Sequence, residues 1–363
     1  MRVVIAGGGT GGHLFPGVAL AEEITTRQRG NEVLFVGTAR GLEARVVPEL
    51  GYPLALIEVE GLKGKGLSAR LRGLRRLPGA LWSSFRILSE FRPDLAVGVG
   101  GYASGPMILA AWMRGIPTAV LEQNTVPGVT NRILGRFARV VFVMFERSRG
   151  YFPPEKVRVY GNPIRRALLR NFLSSSEGDA GVFSVLVLGG SQGAHRLNLA
   201  FSEAAPRLAA MKGRLRIVHQ TGARDEAMVR AAYEEHGVEA EVRPFIDDVS
   251  AAYRAANLVV CRAGATTLAE VMVAKRASVL VPFPYATDNH QELNAREMVE
   301  AGASLLLLES ELDGDALADR VRSLAEDPGR VEAMERAAGR AGRPEAAREI
   351  VDACANLIAG GAR

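Results

Sequence analysis

The chain has 363 residues, of which 48% are apolar and 23% charged, a size that suggests two domains with sizeable cores and a charge content ordinary for a soluble protein. Its two cysteines, Cys261 and Cys354, stand far apart and in no metal-ligand spacing, which excludes a disulfide framework and fits a reducing compartment. The net charge of +5 is uneven: residues 1–150 hold 19 Lys and Arg against 11 Asp and Glu, the remainder 26 against 29, so the first half is expected to meet something anionic or to carry a local patch that does.

In chain order, Met1-Arg2 leads straight into Val3–Ala6, an apolar run too short for a signal-peptide core and closed by glycines. It reads as a first strand, followed by a helix near Pro16–Arg27 and a strand Glu32–Val36. The stretch between Asp94 and Arg114 is uncharged, but Gly100-Gly101 and Gly105-Pro106 break it. It therefore reads as a strand (Asp94–Val99), a turn and a helix (Pro106–Arg114), not a membrane span. Strand Thr118–Leu121, helix Thr130–Phe137 and strand Val140–Phe145 complete the first half. Phe152-Pro153-Pro154 and Gly161-Asn162-Pro163 punctuate a link near Tyr151–Arg166. After a polar loop at 174–179 the alternation restarts, with strands at Ser184–Leu188, Leu215–His219, Glu241–Pro244, Asn257–Cys261, Ser278–Val281 and Ser304–Leu308. A helical tail from about Glu345 is expected to pack back on the first domain. Strand–helix alternation in both halves predicts two parallel, doubly wound sheets.

One unit recurs. Val4–His13 and Leu186–His195 align at an offset of 182, each an apolar strand, a glycine loop and a histidine opening a helix. Such loops bring backbone N–H groups to an anion, although a tight turn that binds nothing has the same pattern. Gly7, Gly9 and Gly12 match the dinucleotide spacing, and the second loop does not. Neither half has the ribose-binding acid at the end of its second strand, where Val36-Gly37-Thr38 and Gln220-Thr221-Gly222 stand. No Gly-Lys-Ser/Thr loop is present. Oxidoreductase and nucleotide-triphosphatase readings lose ground accordingly.

A set of longer motifs is more specific. In order they are GGGTGGHLFP (Gly7–Pro16), GVGGYASGP (Gly98–Pro106), EQNTVPGVTN (Glu122–Asn131), GNPIR (Gly161–Arg165), GGSQGAHRLN (Gly189–Asn198), CRAGATTLAE (Cys261–Glu270) and PFPYATDNHQELNA (Pro282–Ala295). They resemble the motifs of glycosyltransferase family 28 and span nearly the whole chain. The resemblance implies an α/β glycosyltransferase B fold, two Rossmann-like domains with parallel sheets facing across a cleft. Residues 1–160 would bind acceptor and membrane, residues 161–344 the donor, with 345–363 the returning helix. The implied reaction is inverting transfer of N-acetylglucosamine (GlcNAc) from UDP-GlcNAc to the C4 hydroxyl of N-acetylmuramic acid in undecaprenyl-pyrophosphoryl-MurNAc-pentapeptide, lipid I, giving lipid II for peptidoglycan. Implied partners are UDP-GlcNAc, lipid I, the anionic inner leaflet and other cell-wall synthesis proteins, with no nucleic acid and no cofactor. The implied place is peripheral, on the cytoplasmic face of the inner membrane.

The resemblance also implies roles. Thr10, Gly11 and Gly12 line the cleft near the transferred sugar, and Asn124 contacts the donor. Arg165 and Ser191 approach the donor phosphates. Ile246 and the run Ala265, Thr266, Thr267, Leu268, Ala269 and Glu270 hold uracil, ribose and phosphates, with Glu270 on the ribose hydroxyls. Gln291 contacts the sugar, and Asn131 belongs to the acceptor side. Two positions depart from the family: Thr266 stands where it often has Leu, and His290 where it often has Gln, which leaves the part of His290 open.

The chemistry needs a base for the acceptor hydroxyl and stabilisation for departing UDP. His13, at a helix N-terminus that disfavours a further positive charge, is one candidate base; its alternative is to cap or support the loop. Glu122, at a strand's carboxyl end, is the other; its alternative is to brace the loop. Tyr102 either contacts the acceptor or packs, and His195 reads as structural. Asp313-Gly314-Asp315 precedes a late helix and reads as a cap, so no metal is expected. Between Gly61 and Pro93 eight basic residues face one acid, Glu90, interleaved with Leu67, Leu71, Leu74, Leu77, Leu81, Trp82 and Phe85. This reads as a loop and helix pair, broken at Pro78-Gly79, that either lies on an anionic leaflet or turns its apolar residues to the core. A UDP-sugar epimerase of the same fold and a non-catalytic nucleotide-sugar-binding protein are the alternatives to a transferase.

Overall fold

The computed structural model describes residues 1–59, 67–173, 181–190 and 193–361. The polar loop 174–179, Ser191 and the start of the basic segment lie outside them. The first sheet has β1 (Arg2–Gly7), β2 (Glu32–Gly37), β3 (Leu54–Leu56), β4 (Leu95–Gly100), β5 (Thr118–Glu122), β6 (Val140–Val143) and β7 (Val157–Val159), ordered β3-β2-β1-β4-β5-β6-β7. The second has β8 (Phe183–Leu188), β9 (Leu215–Gln220), β10 (Ala240–Arg243), β11 (Leu258–Cys261), β12 (Ala277–Leu280) and β13 (Ser304–Leu306), ordered β10-β9-β8-β11-β12-β13. Every strand pair among the described residues is parallel. The α/β class with two Rossmann-like sheets is as expected. The chain divides into two compact units, Met1–Arg166 with Pro344–Arg363, and Ala167–Arg343.

In the first unit the period of two in β1 sorts its side chains. Val3 and Ile5 join a core with Leu14, Val18 and Ile24 of the helix Gly11–Arg27. Val4 and Ala6 join the opposite core with Ile87, Leu88, Met107 and Ile108. Fully burying a side chain of this size contributes about 1.5–3 kcal/mol, and both faces of the sheet are covered this way. The C-terminal helix Ala346–Gly361 closes the first core with Ile350, Val351 and Cys354. Arg27 on the helix Gly11–Arg27 holds it, bonding Asp352 and the Arg348 carbonyl.

Three local expectations are corrected. β3 and β7 were not foreseen: each has three residues, too few to show a period, and each sits at a sheet edge. The supposed link thus supplies a strand, and the first unit runs on to Arg166, whose N–H donates to Glu22 Oε2 at 2.8 Å. Within the segment read as a loop and helix pair, the described residues from Leu67 to Phe91 form one helix that continues through Pro78. Pro78 lies on an exposed side, where one missing backbone bond is tolerated.

The second unit packs Val185 and Val187 of β8 with Leu197, Phe201, Ile217, Leu258 and Val260. A polar chain runs through this core. His219 Nδ1 lies 2.9 Å from the Tyr233 hydroxyl and its Nε2 lies 3.1 Å from Asn198 Oδ1. Asn198 Nδ2 donates to Thr221 O and to Asp225 Oδ2. Since Asn198 presents its oxygen, His219 Nε2 carries the proton and Nδ1 accepts from Tyr233.

Candidate functional site

In each sheet the chain order reverses at one point, between β1 and β4 and between β8 and β11. Ligands of open α/β sheets bind at the carboxyl ends of the strands there. At the first point the two glycine turns interlock. Gly8 N–H donates to Gly100 O at 3.2 Å, with Gly8 at φ +137° and Gly101 at φ +81°. A Cβ on Gly101 would stand 2.5 Å from Gly8 O, so a side chain there would force the turns apart. Ser104 ties the same place, accepting from Gly100 N and donating to Ala6 O at 2.6 Å.

The loop opens the helix Gly11–Arg27 with no side-chain cap at Thr10 and no acid in the first turn. Its N-terminal dipole therefore meets no compensating carboxylate within that turn. Thr10, Gly11, Gly12 and His13 come together here. His13 Nδ1 is 3.4 Å from Thr10 Oγ1, and its ring lies against Gly100, where a Cβ would come within 2.6 Å of His13 Cδ2. Tyr102, 55% exposed, stands at the turn after β4. Arg165 also lies in this unit, its guanidinium 4.8 Å over the ring of Phe15.

Glu122 ends β5 and is buried. Its Oε1 accepts from Asn124 N at 2.9 Å and Asn124 Nδ2 at 3.3 Å, and its Oε2 from Gly128 N at 3.2 Å and Asn131 Nδ2 at 2.9 Å. Two donors on each oxygen fill the acceptor capacity of a carboxylate. Burial pushes its pKa up, against the pull of these bonds. These bonds brace the loop 122–131, the second of the two readings of Glu122. Asn131 is buried, with its amide on Leu121 O and Glu122, and supports the same loop.

At the second point, β11 leads through Gly264 into the helix Ala265–Val273, whose N-terminus has no side-chain cap and no acid in its first turn. Ala265, Leu268 and Ala269 are buried, so these positions offer backbone; Thr266, Thr267 and Glu270 are half-buried. Glu270 Oε2 accepts from the Tyr253 hydroxyl at 3.2 Å. Burial first, then the Glu270 charge, push the Tyr253 phenol well up, which keeps it a donor. Ile246 is buried, and its N–H is taken by Gln220 Oε1 at 3.0 Å. Gln220 Nε2 donates in turn to Gly190 O at 3.0 Å, tying the second glycine loop to the turn after β10. Gln291 Oε1 accepts from Phe283 N at 3.0 Å. His290 Nδ1 lies 2.7 Å from Thr287 O, and the preceding Asp288 and Asn289 hold φ of +54° and +53°, a strained turn for non-glycine residues. His195 sets Nδ1 3.0 Å from the buried Asp225 carboxylate. Burial raises the Asp225 pKa, and the bonds from Asn198 and His195 more than offset it, leaving it lowered. Asp313 caps the helix Gly314–Ala325, accepting from Ala316 N at 2.7 Å.

Three residues escaped the sequence reading: Glu43, whose carboxylate reaches Gly9 N at 2.7 Å, Gln220 and Asp225. Only Glu43 left a trace, an acid between two glycines and a helix, just beyond the strand end where an acid was sought.

Family models described as "Glycosyltransferase family 28 N-terminal domain" and "Glycosyltransferase family 28 C-terminal domain" match residues 3–143 and 184–350. A protein of Myxococcus xanthus named UDP-N-acetylglucosamine–N-acetylmuramyl-(pentapeptide) pyrophosphoryl-undecaprenol N-acetylglucosamine transferase is 58% identical over 358 residues, covering 99% of this chain and 93% of its own. One of the same name from Syntrophus aciditrophicus is 51% identical, covering 99% of each. Among solved structures, MurG of Acinetobacter baumannii superposes with a TM-score of 0.79 at 30% identity, covering 97% of this chain and 98% of that one. A UDP-GlcNAc 2-epimerase of Neisseria meningitidis reaches 0.68 at 15% identity, a likeness of fold alone.

Proposed function

The chain belongs to glycosyltransferase family 28, and from that premise we propose how its two units divide one reaction. The enzyme is a hexosyltransferase of peptidoglycan synthesis, moving GlcNAc from UDP-GlcNAc to lipid-linked N-acetylmuramyl pentapeptide. The full-length likeness to transferases carries this reading, whereas the epimerase alternative rests on fold alone.

In the proposed scheme the second unit holds the donor. The uncapped helix at Ala265 meets the diphosphate, and Glu270, steadied by Tyr253, takes the ribose hydroxyls. Ile246, Thr266, Thr267 and Gln291 complete the donor set. The first unit holds the acceptor near Thr10, Gly11, Gly12 and Tyr102. His13 takes the proton of the C4 hydroxyl as that oxygen bonds to C1 of GlcNAc from the side opposite the phosphate. The C1–O bond to phosphate breaks, UDP departs with the electron pair, and the anomeric centre is inverted. The donor helix meets the charge on UDP. Glu122 and Asn131 hold Asn124 in place.

A lipid-linked acceptor calls for a surface that meets a membrane. No helix among the described residues is long and apolar enough to cross a membrane. Trp82, Trp112 and Met113 are 65%, 47% and 56% exposed, while Leu81 and Phe85 pack against the core. Arg86 lies over Trp82 and Arg114 over Phe85. Exposed aromatics beside arginines suit an anionic interface, and we place this surface on the cytoplasmic leaflet of the inner membrane. The test is product analysis with UDP-GlcNAc, with and without lipid I. Acceptor-dependent UDP release with a disaccharide product supports the reading. Acceptor-independent interconversion of the sugar supports the epimerase, and silence a binding protein.

A further inference from the structure

Glu43 is 1% exposed and belongs to no part of the scheme above. Its Oε2 accepts from Gly9 N at 2.7 Å, and its Oε1 from Thr38 N at 2.9 Å and Thr38 Oγ1 at 3.0 Å. Three glycines make room for it. A Cβ would stand 2.4 Å from the carboxylate at Gly8, 2.3 Å from Cγ at Gly37 and 2.1 Å from the carboxylate at Gly41. Gly37 and Gly41 have no left-handed φ, so they are glycine for space alone. Two loops and a helix are thus shaped around one carboxylate, 34 residues from the amide it grips.

In a dinucleotide loop the ligand's phosphate satisfies the glycine amides. Here an internal carboxylate does so at Gly9, one residue before Thr10 and four before His13. The amide of Gly9 is therefore taken by the protein itself. We propose that Glu43 is a positioning residue for the acceptor half of the reaction: it holds the first glycine loop in the shape that sets Thr10 and His13. This rests on the reading of the first unit as the acceptor site.

The test uses the full chain carrying Glu43→Gln, Glu43→Asp or Thr38→Val, with UDP affinity by calorimetry, turnover on a short-chain lipid I analogue, and deuterium exchange of the segment 8–14. In Glu43→Gln an amide N–H₂ must face one set of N–H donors. Turnover should fall on the order of 10–100-fold and exchange in 8–14 should rise, while UDP affinity stays within about twofold. Glu43→Asp keeps the charge and should recover part of the loss. Thr38→Val removes only the hydroxyl and should cost about two- to fivefold, which carries the test should Glu43→Gln fold poorly. Turnover within twofold of wild type in Glu43→Gln, or loss of UDP binding in step with turnover, overturns the proposal. Failure of the parent reading shows instead in wild type, as UDP release that does not depend on acceptor.

Discussion

Acid should weaken the second unit through His219. The imidazole is fully buried between Tyr233 and Asn198, and burial holds its pKa down at about 3 against the ordinary 6.5. The unfolded chain takes up a proton below pH 6.5 that the folded strand refuses. Stability therefore falls as pH falls, approaching about 1.36 kcal/mol per unit well below pH 6.5, or roughly 2 kcal/mol between pH 7.5 and 5. That is a sizeable share of the 5–15 kcal/mol typical of a domain. The lowered Asp225 carboxyl loses its contribution only below its ordinary 3.8, outside this window. Glu335, raised by burial, titrates alike in wild type and variant and cancels from their difference. His219→Gln keeps one donor for Asn198 and one acceptor for Tyr233 without the titration. Both tryptophans lie in the first unit, so the probe is amide exchange of the β9 segment across a urea series at pH 7.5 and 5. Wild type should lose about 2 kcal/mol more than His219→Gln between the two pH values. Equal losses would show that protonation of His219 is not what acid acts on.

Other outcomes follow from the donor side and the membrane surface. Glu270→Ala should weaken UDP binding by about 1.5–3 kcal/mol in calorimetry, through loss of a charge-assisted bond to ribose; unchanged affinity removes Glu270 from the donor site. Gln220→Ala unties Gly190 from Ile246 and should weaken UDP binding about three- to tenfold with acceptor KM unchanged; a change confined to the acceptor contradicts the assignment of that loop. Trp82→Gln with Met113→Gln should lower binding to anionic vesicles and turnover on full-length lipid I, while sparing a short-chain analogue. Equal losses on both acceptors would mean that these residues serve the fold.

The parts legible in the sequence are local. β1 and β8 declare themselves by short apolar runs closed with glycines, and the helices after them by the next few residues. β3 and β7 are too short to carry a period, and their place depends on neighbours already formed. The site divides the same way. Thr10, His13 and Glu270 lie within the glycine units that mark them. Glu122 is just as visible, but the donors from Asn124, Gly128 and Asn131 that fill both its oxygens are revealed by no spacing. Glu43, Gln220 and Asp225 act on backbone or side chains 26–34 residues away, and such contacts exist only once parallel strands are in register. The continuous helix through Pro78 shows the opposite error, a strong local signal overridden by its setting on an exposed side.

The division between donor-binding second unit and acceptor-activating first unit is tested most directly by comparing His13→Ala with Glu122→Gln in single-turnover transfer, with UDP affinity measured in parallel. His13→Ala should lower the transfer rate by roughly 10²–10⁴ with UDP affinity unchanged, while Glu122→Gln should lower the melting temperature and affect the rate less. A folded His13→Ala that transfers at near the wild-type rate, with Glu122→Gln inactive, would contradict the account and return the base to Glu122.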